Sequence, residues 1–315
     1  MTGHTLQAAN LSKEYGHFTA LSKLNLKLEG SKCIGFLGPN GAGKTTTLKI
    51  FTDMIRPTSG EAFINGINVH FDKKKALASV GTLIETPEIY GSLTAREALS
   101  MIAEIKGIPK SVVKKSILKV IERVKMKEWL DKKIKNMSKG MKQRINIAAA
   151  ILGNPDVIIL DEPTSGLDPR GMSEVRSIIK DLKRENRLIF MSSHLLSEVS
   201  EICDEVAMID HGKLLAYGPI GEVVSKFSHD GAGEVEVSVL RPVGAAVLKR
   251  IRGIGGVGSV KRVDGRTFTV RTSGGIKEQE ALLSRLVKMK IGVIGFKPSS
   301  SALEETYLSV FKETV

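Results

Sequence analysis

The stretch SKCIGFLGPNGAGKTTTLKIF, Ser31 to Phe51, decides the fold of this chain. It is typical of a buried strand, a glycine-rich loop and the start of a helix, and the loop fits the pattern G-x-x-x-x-G-K-[ST]. In such a loop the backbone N–H groups turn toward a polyphosphate, and the following helix adds its dipole. Lys44 is predicted to reach the β- and γ-phosphates, and the Thr45 hydroxyl to hold Mg²⁺. The predicted phosphate-binding residues are Gly38, Pro39, Asn40, Gly41, Ala42, Gly43, Lys44, Thr45 and Thr46.

A second stretch, IILDEPTSGLD at residues 158–168, supplies two acids. Asp161 follows an apolar strand, which is where open α/β sheets bind their ligands. Two adjacent carboxylates are costly there without a cation, so Asp161 is predicted to hold the metal, directly or through water, opposite Thr45. Glu162 then lies close to the γ-phosphate and is predicted to be the general base for the attacking water. The two stretches together predict a nucleotide hydrolase.

Basic residues crowd the start of a predicted helix in MSKGMKQR, residues 137–144. Ser138 is a good N-cap residue, yet the first two turns hold Lys139, Lys142 and Arg144 and no carboxylate. A helix N-terminus carries about half a positive charge and favours acids in its first turn. Because the glycine-rich loop already holds one nucleotide, we expect this helix end to meet a second nucleotide, bound to another copy or a related chain.

The composition indicates a globular protein with a basic surface. The chain has 315 residues and a net charge of +13, with basic clusters in residues 110–135 and 231–315. The first cluster fits either a surface near anionic lipid or nucleic acid, or a solvated helix face. No apolar run approaches the roughly 18 residues that span a bilayer, and the N-terminus lacks the apolar core of a signal peptide. Cys33 and Cys203 lie far apart without metal-ligand spacing, which predicts buried thiols of a reducing, cytoplasmic compartment.

Hydrophobic periodicity predicts two domains, residues 1–228 and 229–315. Short strands separated by turns dominate the first 70 residues. A helical period follows over residues 91 to about 153, where Thr94 and Glu97 form a capping box. Continuous apolar strands then indicate a parallel sheet that is buried on both faces.

The second predicted domain follows the linker FSHDGAGE and reads β-α-β-β-α-β, the split-βαβ order. Asp264 and Gly265 form a strong hairpin turn between its two central strands. A last predicted helix, SALEETYLSVFKE, carries a second capping box at Ser301 and Glu304.

Several of these motifs occur together in one known family. Residues 4 to about 226 resemble the nucleotide-binding subunits of ABC transporters: GPNGAGKTT matches their Walker A motif, VIILDE their Walker B motif and SGLD their D-loop. MSKGM stands where the family usually has LSGGQ. The resemblance implies that Tyr15 stacks on adenine and that His194 is the switch histidine that steadies the γ-phosphate. It also implies that Asp168 of the D-loop is a nucleotide-binding residue and that Ser138 and Gly140 contact the partner's γ-phosphate.

The chain departs from the family pattern at three positions. Lys139 and Met141 replace a glycine and a glutamine of the usual signature. Glu85 falls where the family generally has a glutamine that contacts metal and water, so Glu85 is predicted to be a metal ligand. The segments IETPEIY and SKGMKQR resemble the branch that exports drugs or confers bacitracin and lantibiotic immunity.

The resemblance implies an α/β fold, namely a P-loop ABC-type ATPase domain with a mixed sheet and a helical subdomain, and a C-terminal α+β ferredoxin-like module. It implies an enzyme that hydrolyses ATP with Mg²⁺ and powers export through separate polytopic membrane permease subunits. Pairing with a second ATPase subunit, as a homodimer or a heterodimer, would close two nucleotides between the subunits. We expect the chain on the cytoplasmic face of the cell membrane, and no nucleic acid partner.

Two other functions compete with export. The basic charge would also suit an ABC-type ATPase that acts on nucleic acid or the ribosome, although such translation factors usually carry two ATPase units and this chain has one Walker A motif. An importer subunit would more often carry a small C-terminal β-barrel than the β-α-β-β-α-β order. A neighbouring gene for a polytopic membrane protein would favour transport over the nucleic acid alternative.

Overall fold

The computed structural model describes residues 4–85, 90–227, 234–274 and 276–298. The chain divides into two compact units, Met1–Gly218 and Pro219–Val315. The sequence predicted this boundary after residue 228, because the linker is the clearest composition change. The helix Ile220–Phe227 instead groups with the second unit.

The first unit contains two sheets and a group of helices. In chain order its elements are β1 (Thr5–Tyr15), β2 (Phe18–Glu29), β3 (Cys33–Leu37), α1 (Lys44–Phe51), β4 (Ser59–Ile64), β5 (Ile67–Asn68), α2 (Lys73–Leu77), β6 (Val80–Leu83), α3 (Ala95–Ile105), α4 (Lys110–Arg123), α5 (Lys139–Ile151), β7 (Val157–Leu160), α6 (Pro169–Lys183), β8 (Leu188–Ser193), α7 (Leu196–Ile202), β9 (Glu205–Asp210) and β10 (Lys213–Pro219).

A six-stranded sheet in the order β10-β9-β3-β8-β7-β6 forms the centre of this unit. The neighbours from β9 to β6 pair in parallel, and every residue of β3, β7 and β8 is buried. This arrangement confirms the predicted parallel strands. The carboxyl ends of β3, β7 and β8 meet at one edge of the sheet, so the predicted phosphate loop, the two acids and His194 follow neighbouring strands.

A four-stranded antiparallel sheet, β2-β1-β4-β5, packs on the parallel sheet through a shared apolar core. Phe36 of β3 and Phe190 of β8 lie with their ring centroids 5.1 Å apart, and Phe51 of α1 meets Phe190 edge-on. Tyr15 and Phe18 are register partners at the turn that joins β1 to β2. That turn lies beside the phosphate loop.

The helical segment α3–α5 starts with the predicted capping box. Glu97 N donates to Thr94 Oγ1 at 3.2 Å, and Thr94 N donates to Glu97 Oε2 at 2.7 Å. Ile117, Val120 and Ile121 of α4 are buried, as expected for the apolar face of an amphipathic helix. Within the described ranges, no helix is both long enough and apolar enough to cross a bilayer.

The two cysteines do not lie far apart in space. Cys33 at the start of β3 and Cys203 after α7 are both buried free thiols, and their Sγ atoms are 3.7 Å apart. The parallel pairing of β3 with β9 brings them together, since Cys203 directly precedes the segment that leads into β9. The hydrogen bond with the Cys33 thiol, together with burial, raises the pKa of Cys203 well above its usual value.

The second unit has its own core. Its elements are α8 (Ile220–Phe227), β11 (Glu234–Val239), α9 (Ala245–Arg252), β12 (Val257–Arg262), β13 (Thr267–Thr272), α10 (Ile276–Lys288) and β14 (Val293–Pro298). From β11 onward the order is β-α-β-β-α-β, and the strands form an antiparallel sheet in the order β12-β13-β11-β14. Asp264 closes the hairpin by accepting from Arg266 N at 2.6 Å. The capping box predicted at Ser301 and Glu304 lies outside the described residues.

Candidate functional site

The phosphate loop joins β3 to α1 through a backbone that only glycine adopts easily. Gly43 precedes α1 with φ +104°, and a Cβ there would lie 2.6 Å from the Ala20 carbonyl oxygen. The first turn of α1 holds no acid, so the partial positive charge of the helix end stays available to an anion. Lys44, buried at this helix end, donates to Gly38 O at 2.8 Å and to Pro39 O at 3.0 Å.

A cleft opens above this loop. Of the predicted loop residues, Gly38 and Pro39 present their carbonyls to Lys44, and the Ala42 carbonyl accepts from Gly212 N at 3.0 Å. The remaining loop residues face the cleft together with aromatic side chains of the β1–β2 turn. The residues that line the cleft are Tyr15, Phe18, Ala20, Asn40, Gly41, Gly43, Lys44, Thr45, Thr46 and Glu162.

Two exposed aromatic rings flank the cleft, of which the sequence predicted only Tyr15. Tyr15 is 48% exposed and Phe18 is 59% exposed. The Nζ of Lys13 lies 5.0 Å from the centroid of the Tyr15 ring. Phe18 could have been inferred from the sequence, because it lies opposite Tyr15 across a two-residue turn.

The acid pair after β7 faces the start of α1. Asp161 Oδ2 accepts from Thr45 Oγ1 at 2.9 Å, and Asp161 Oδ1 accepts from Ser192 Oγ at 2.5 Å. The same Ser192 Oγ accepts from Glu162 N at 2.9 Å, so one hydroxyl holds both acidic residues. Glu162 itself has φ +42°, an uncommon backbone conformation for a side-chain-bearing residue.

Glu162 lies between two basic groups. Its Oε2 is 3.1 Å from His194 Nδ1, and its Oε1 is 3.8 Å from Lys44 Nζ. Burial lowers the pKa of Lys44, while the charges of Glu162 and Asp161 act in the opposite direction. The predicted catalytic set Lys44, Glu162 and His194 is therefore brought together, in a place that an anionic substrate can reach from the cleft.

The predicted metal ligands are only partly assembled. The Thr45 hydroxyl and the Asp161 carboxylate lie side by side and are hard oxygen donors, the type that Mg²⁺ prefers. Glu85 does not join them, since its Oε1 is 2.5 Å from Lys49 Nζ and its side chain is 61% exposed. The structure therefore fits Mg²⁺ at Thr45 and Asp161, and the predicted role of Glu85 stays a prediction.

Ser138, Gly140 and Asp168 line a second groove, not the cleft above the phosphate loop. Ser138 caps α5 by accepting from Met141 N at 3.2 Å, and Asp168 caps α6 by accepting from Gly171 N at 2.9 Å. A Cβ on Gly140 would lie 3.5 Å from Gly171 Cα, so the two helix ends approach closely. The groove thus receives the positive ends of two helices.

Part of the basic excess at the start of α5 is neutralised within the chain, which the sequence did not predict. Arg144 pairs with Glu174 of α6 at 3.3 Å, and Arg170 pairs with the same carboxylate at 3.3 Å. Lys139 extends over the D-loop, where its Nζ would lie 2.2 Å from a Cβ on Gly166. Across the part of the chain that the structure describes, Lys139 and Lys142 form no ion pair, so two of the three cations remain available to an external anion.

Comparison with known proteins tests the family and the fold of this chain. The family model described as ABC transporter matches residues 21–165, and a model described as AAA domain, putative AbiEii toxin, Type IV TA system, matches residues 132–200. The bacitracin transport ATP-binding protein BcrA of Bacillus licheniformis is 44% identical over 211 residues, which cover 67% of this chain and 68% of that protein. This chain belongs to the ABC transporter ATP-binding proteins. The linearmycin resistance ATP-binding protein LnrL of Bacillus subtilis (strain 168) is 30% identical over 312 residues, covering 98% of this chain and 99% of that protein.

Further relatives of this ABC transporter protein support the predicted branch and fold. The lantibiotic transport ATP-binding protein SrtF of Streptococcus pyogenes is 37% identical and covers 67% of this chain and 89% of its own length. The solved ATP-binding subunit of an ABC transporter superposes with a TM-score of 0.64 at 26% identity, over 70% of this chain and 92% of that one. A dimeric bacterial ABC transporter cassette shares the fold with a TM-score of 0.62 at 23% identity, over 68% of this chain and 98% of that one. The predicted family and the ATPase fold are confirmed, and the protein is an ATPase that uses ATP and Mg²⁺.

Several polar residues that were not singled out from the sequence form hydrogen bonds to the site residues and to the loops that carry them. Ser192 holds both acids, and Gln143 of α5 donates to the Pro163 carbonyl at 2.7 Å. Glu198 accepts hydrogen bonds from Thr164 and Ser193. The sequence signal for these residues was the pair Ser192 and Ser193 before His194. The pair ends strand β8, which neighbours β7, the strand that the two acids follow.

Proposed function

We propose that this chain powers the export of an antibiotic-like compound through separate membrane-spanning subunits, on the cytoplasmic face of the membrane. The observation that carries the proposal is the match to LnrL, which extends through both units of the chain and bears the name of a resistance protein. The matches to bacitracin and lantibiotic transport ATP-binding proteins support the same class of cargo.

In this proposal each residue of the cleft has a defined task. Lys44 and the backbone N–H groups of the loop bind the β- and γ-phosphates, and Tyr15 stacks on the adenine. Thr45 and Asp161 hold Mg²⁺, which when bound neutralises charge on the phosphate oxygens. These groups align the γ-phosphate for attack, which is the main contribution that proteins make to phosphoryl transfer.

Glu162 is the general base of the proposed reaction. Its carboxylate accepts a proton from a water molecule, whose oxygen forms a bond to the γ-phosphorus while the bond to the bridging oxygen of ADP breaks. His194, at 3.1 Å from Glu162, orients this carboxylate and steadies the γ-phosphate. The products are ADP and inorganic phosphate.

The site is completed by a second ATPase subunit. Ser138 and Gly140 line a groove of their own, so the cleft above the phosphate loop lacks their helix end within one chain. Two copies that pair head to tail would place the N-terminus of α5, with Lys139, against the γ-phosphate of the partner. The dimeric relative of the same fold supports this pairing.

The membrane subunits are proposed to dock on the segment that follows Glu85 and on the helical region from residue 91 to about 135. Residues 86–89 of this segment lie outside the described residues. The strand that leads toward it, β6, pairs with β7, which ends at the two acids, so a shift of docked subunits can follow closure of the nucleotide sites. Its basic residues suit the anionic cytoplasmic leaflet.

The export proposal is tested by copurifying the chain with its membrane-spanning partner subunits and reconstituting the complex in liposomes. We expect antibiotic-like compounds to stimulate ATP hydrolysis, and the complex to protect a sensitive host in a growth assay. The matched control is the same complex with Glu162→Gln, which should give neither effect. Stimulation of hydrolysis by nucleic acid or ribosomes, with none by such compounds, would contradict export.

A further inference from the structure

A buried carboxylate lies between the loop after β7, which carries Glu162, and the loop after β8, which carries His194. Glu198 in the first turn of α7 is 2% exposed. Its Oε1 accepts from Thr164 Oγ1, and its Oε2 accepts from Ser193 Oγ at 3.0 Å. Both hydroxyl-bearing residues are themselves buried, and Glu198 makes no ion pair within the described ranges of the chain.

The positions of these two hydroxyls connect Glu198 to the reacting groups. Thr164 lies two residues after Glu162, in the loop that follows β7. Ser193 directly precedes His194, and its Oγ also accepts from Leu195 N at 2.9 Å. One carboxylate therefore holds the loop of the general base and the loop of the switch histidine at once.

A second link joins the same loops on the other side of Glu162. Ser192 Oγ bonds to Asp161 Oδ1 and to Glu162 N, as described above. Two links therefore constrain Glu162. Ser192 accepts a hydrogen bond from the backbone N–H of Glu162, and Glu198 holds Thr164, two residues further along the same loop. These links hold Glu162 in its uncommon backbone conformation and keep it 3.1 Å from His194.

Resting on the roles proposed above for Glu162 and His194, we propose that Glu198 is a positioning residue for ATP hydrolysis, which sets the alignment of Glu162 with His194. A carboxylate only accepts hydrogen bonds, so it can satisfy two hydroxyl donors from different loops at the same time. Burying a carboxylate without a cation is costly, and an apolar side chain of similar volume would fill the same space at a lower cost. The two hydrogen bonds, and not the packing alone, are what this residue contributes.

The test compares Glu198→Leu and Glu198→Gln with the control Glu201→Gln. Glu201 lies on the same helix but is exposed, where it pairs with Arg176 and Lys180. We expect Glu198→Leu to lower kcat by about 10- to 100-fold with KM for ATP within about twofold, because the phosphate loop is untouched while the base is displaced. Glu198→Gln should recover part of kcat, since its amide oxygen still accepts one hydrogen bond. Glu201→Gln should match the wild type.

A double-mutant cycle separates positioning from a purely structural role. If Glu198 acts through the alignment of His194, Glu198→Leu should cost much less in a His194→Ala background than in the wild type. The pair Thr164→Val and Ser193→Ala, which removes both hydroxyls but keeps Glu198, should reproduce the kcat loss. Assays are run at a temperature where circular dichroism shows each variant folded.

Three results would overturn the proposal. One is a wild-type kcat in folded Glu198→Leu, and another is a loss that appears in KM rather than kcat. The third is an equal cost of Glu198→Leu with and without His194. If Glu198→Leu does not fold, the Thr164→Val and Ser193→Ala variants decide by the same criteria.

Discussion

Ser192→Ala is expected to lower both the free energy of unfolding and the kcat of ATP hydrolysis, because one hydroxyl holds two acidic residues. Ser192 is fully buried, donates to Asp161 Oδ1 and accepts from Glu162 N. Alanine removes only the oxygen atom. The change therefore leaves a backbone N–H without its acceptor and a carboxylate without one of its donors, at a partly buried edge of the cleft.

The magnitude follows from these two losses. A hydrogen bond to a charged group contributes about 1.5–3 kcal/mol, and a buried N–H without an acceptor costs about 1–3 kcal/mol. Because the cleft admits some water to this edge, we expect the lower end of the sum, a loss of about 3 kcal/mol in the free energy of unfolding. A displacement of the proposed general base, Glu162, by about 1 Å costs about 100-fold in rate, so kcat should fall by roughly 10- to 100-fold.

Urea unfolding followed by circular dichroism measures the first effect, and steady-state ATP hydrolysis measures the second. Ser197→Ala is the matched control, since Ser197 is an exposed serine at the start of α7. An unfolding free energy within about 0.5 kcal/mol of the wild type, together with a kcat within twofold, would refute this account of Ser192.

Further substitutions test other parts of the site. Glu162→Gln should retain ATP binding but stop turnover, so ATP-bound dimers should accumulate in size-exclusion chromatography; hydrolysis at the normal rate would exclude Glu162 as the base. Gly43→Ala should destabilise the fold by about 1–3 kcal/mol and weaken nucleotide binding, because φ is +104° and the new Cβ meets the Ala20 carbonyl. Thermal unfolding measures the loss of stability, and nucleotide titration measures the loss of affinity. Glu85→Gln breaks an exposed ion pair with Lys49 and should change stability by less than about 1 kcal/mol while it alters turnover; identical ATPase rates would make Glu85 a bystander.

The elements that local chemistry specifies were predictable from the sequence. The glycine-rich loop, the acid pair after an apolar strand and the capping box at Thr94 each depend on neighbours within a few residues, and each is present in the structure. The β-α-β-β-α-β order of the second unit followed in the same way from periodicity and one turn. The candidate site residues on one edge of the sheet followed from the rule that strand ends share that edge.

Contacts between distant segments were not predictable, because strand order decides them. The adjacency of β7 and β8 brings Ser192 to Asp161, and the same adjacency lets Glu198 reach Thr164. The pair Arg144 and Glu174 depends on how α5 packs against α6, and this packing neutralises one cation that the sequence assigned to a partner's nucleotide. The meeting of the two thiols likewise required the pairing of β3 with β9.

The central claim, that Ser138 completes the nucleotide site of another copy, is tested most directly by complementation. Lys44→Ala and Ser138→Arg should each abolish ATP hydrolysis in a uniform dimer, since either change destroys both composite sites. In a mixed dimer the two changes fall in the same site and leave the other site intact. Random pairing of an equal mixture makes about half of the dimers mixed, so about a quarter of wild-type activity should be recovered. A mixture no more active than its separate components, with mixed dimers verified by mass spectrometry, would contradict the account.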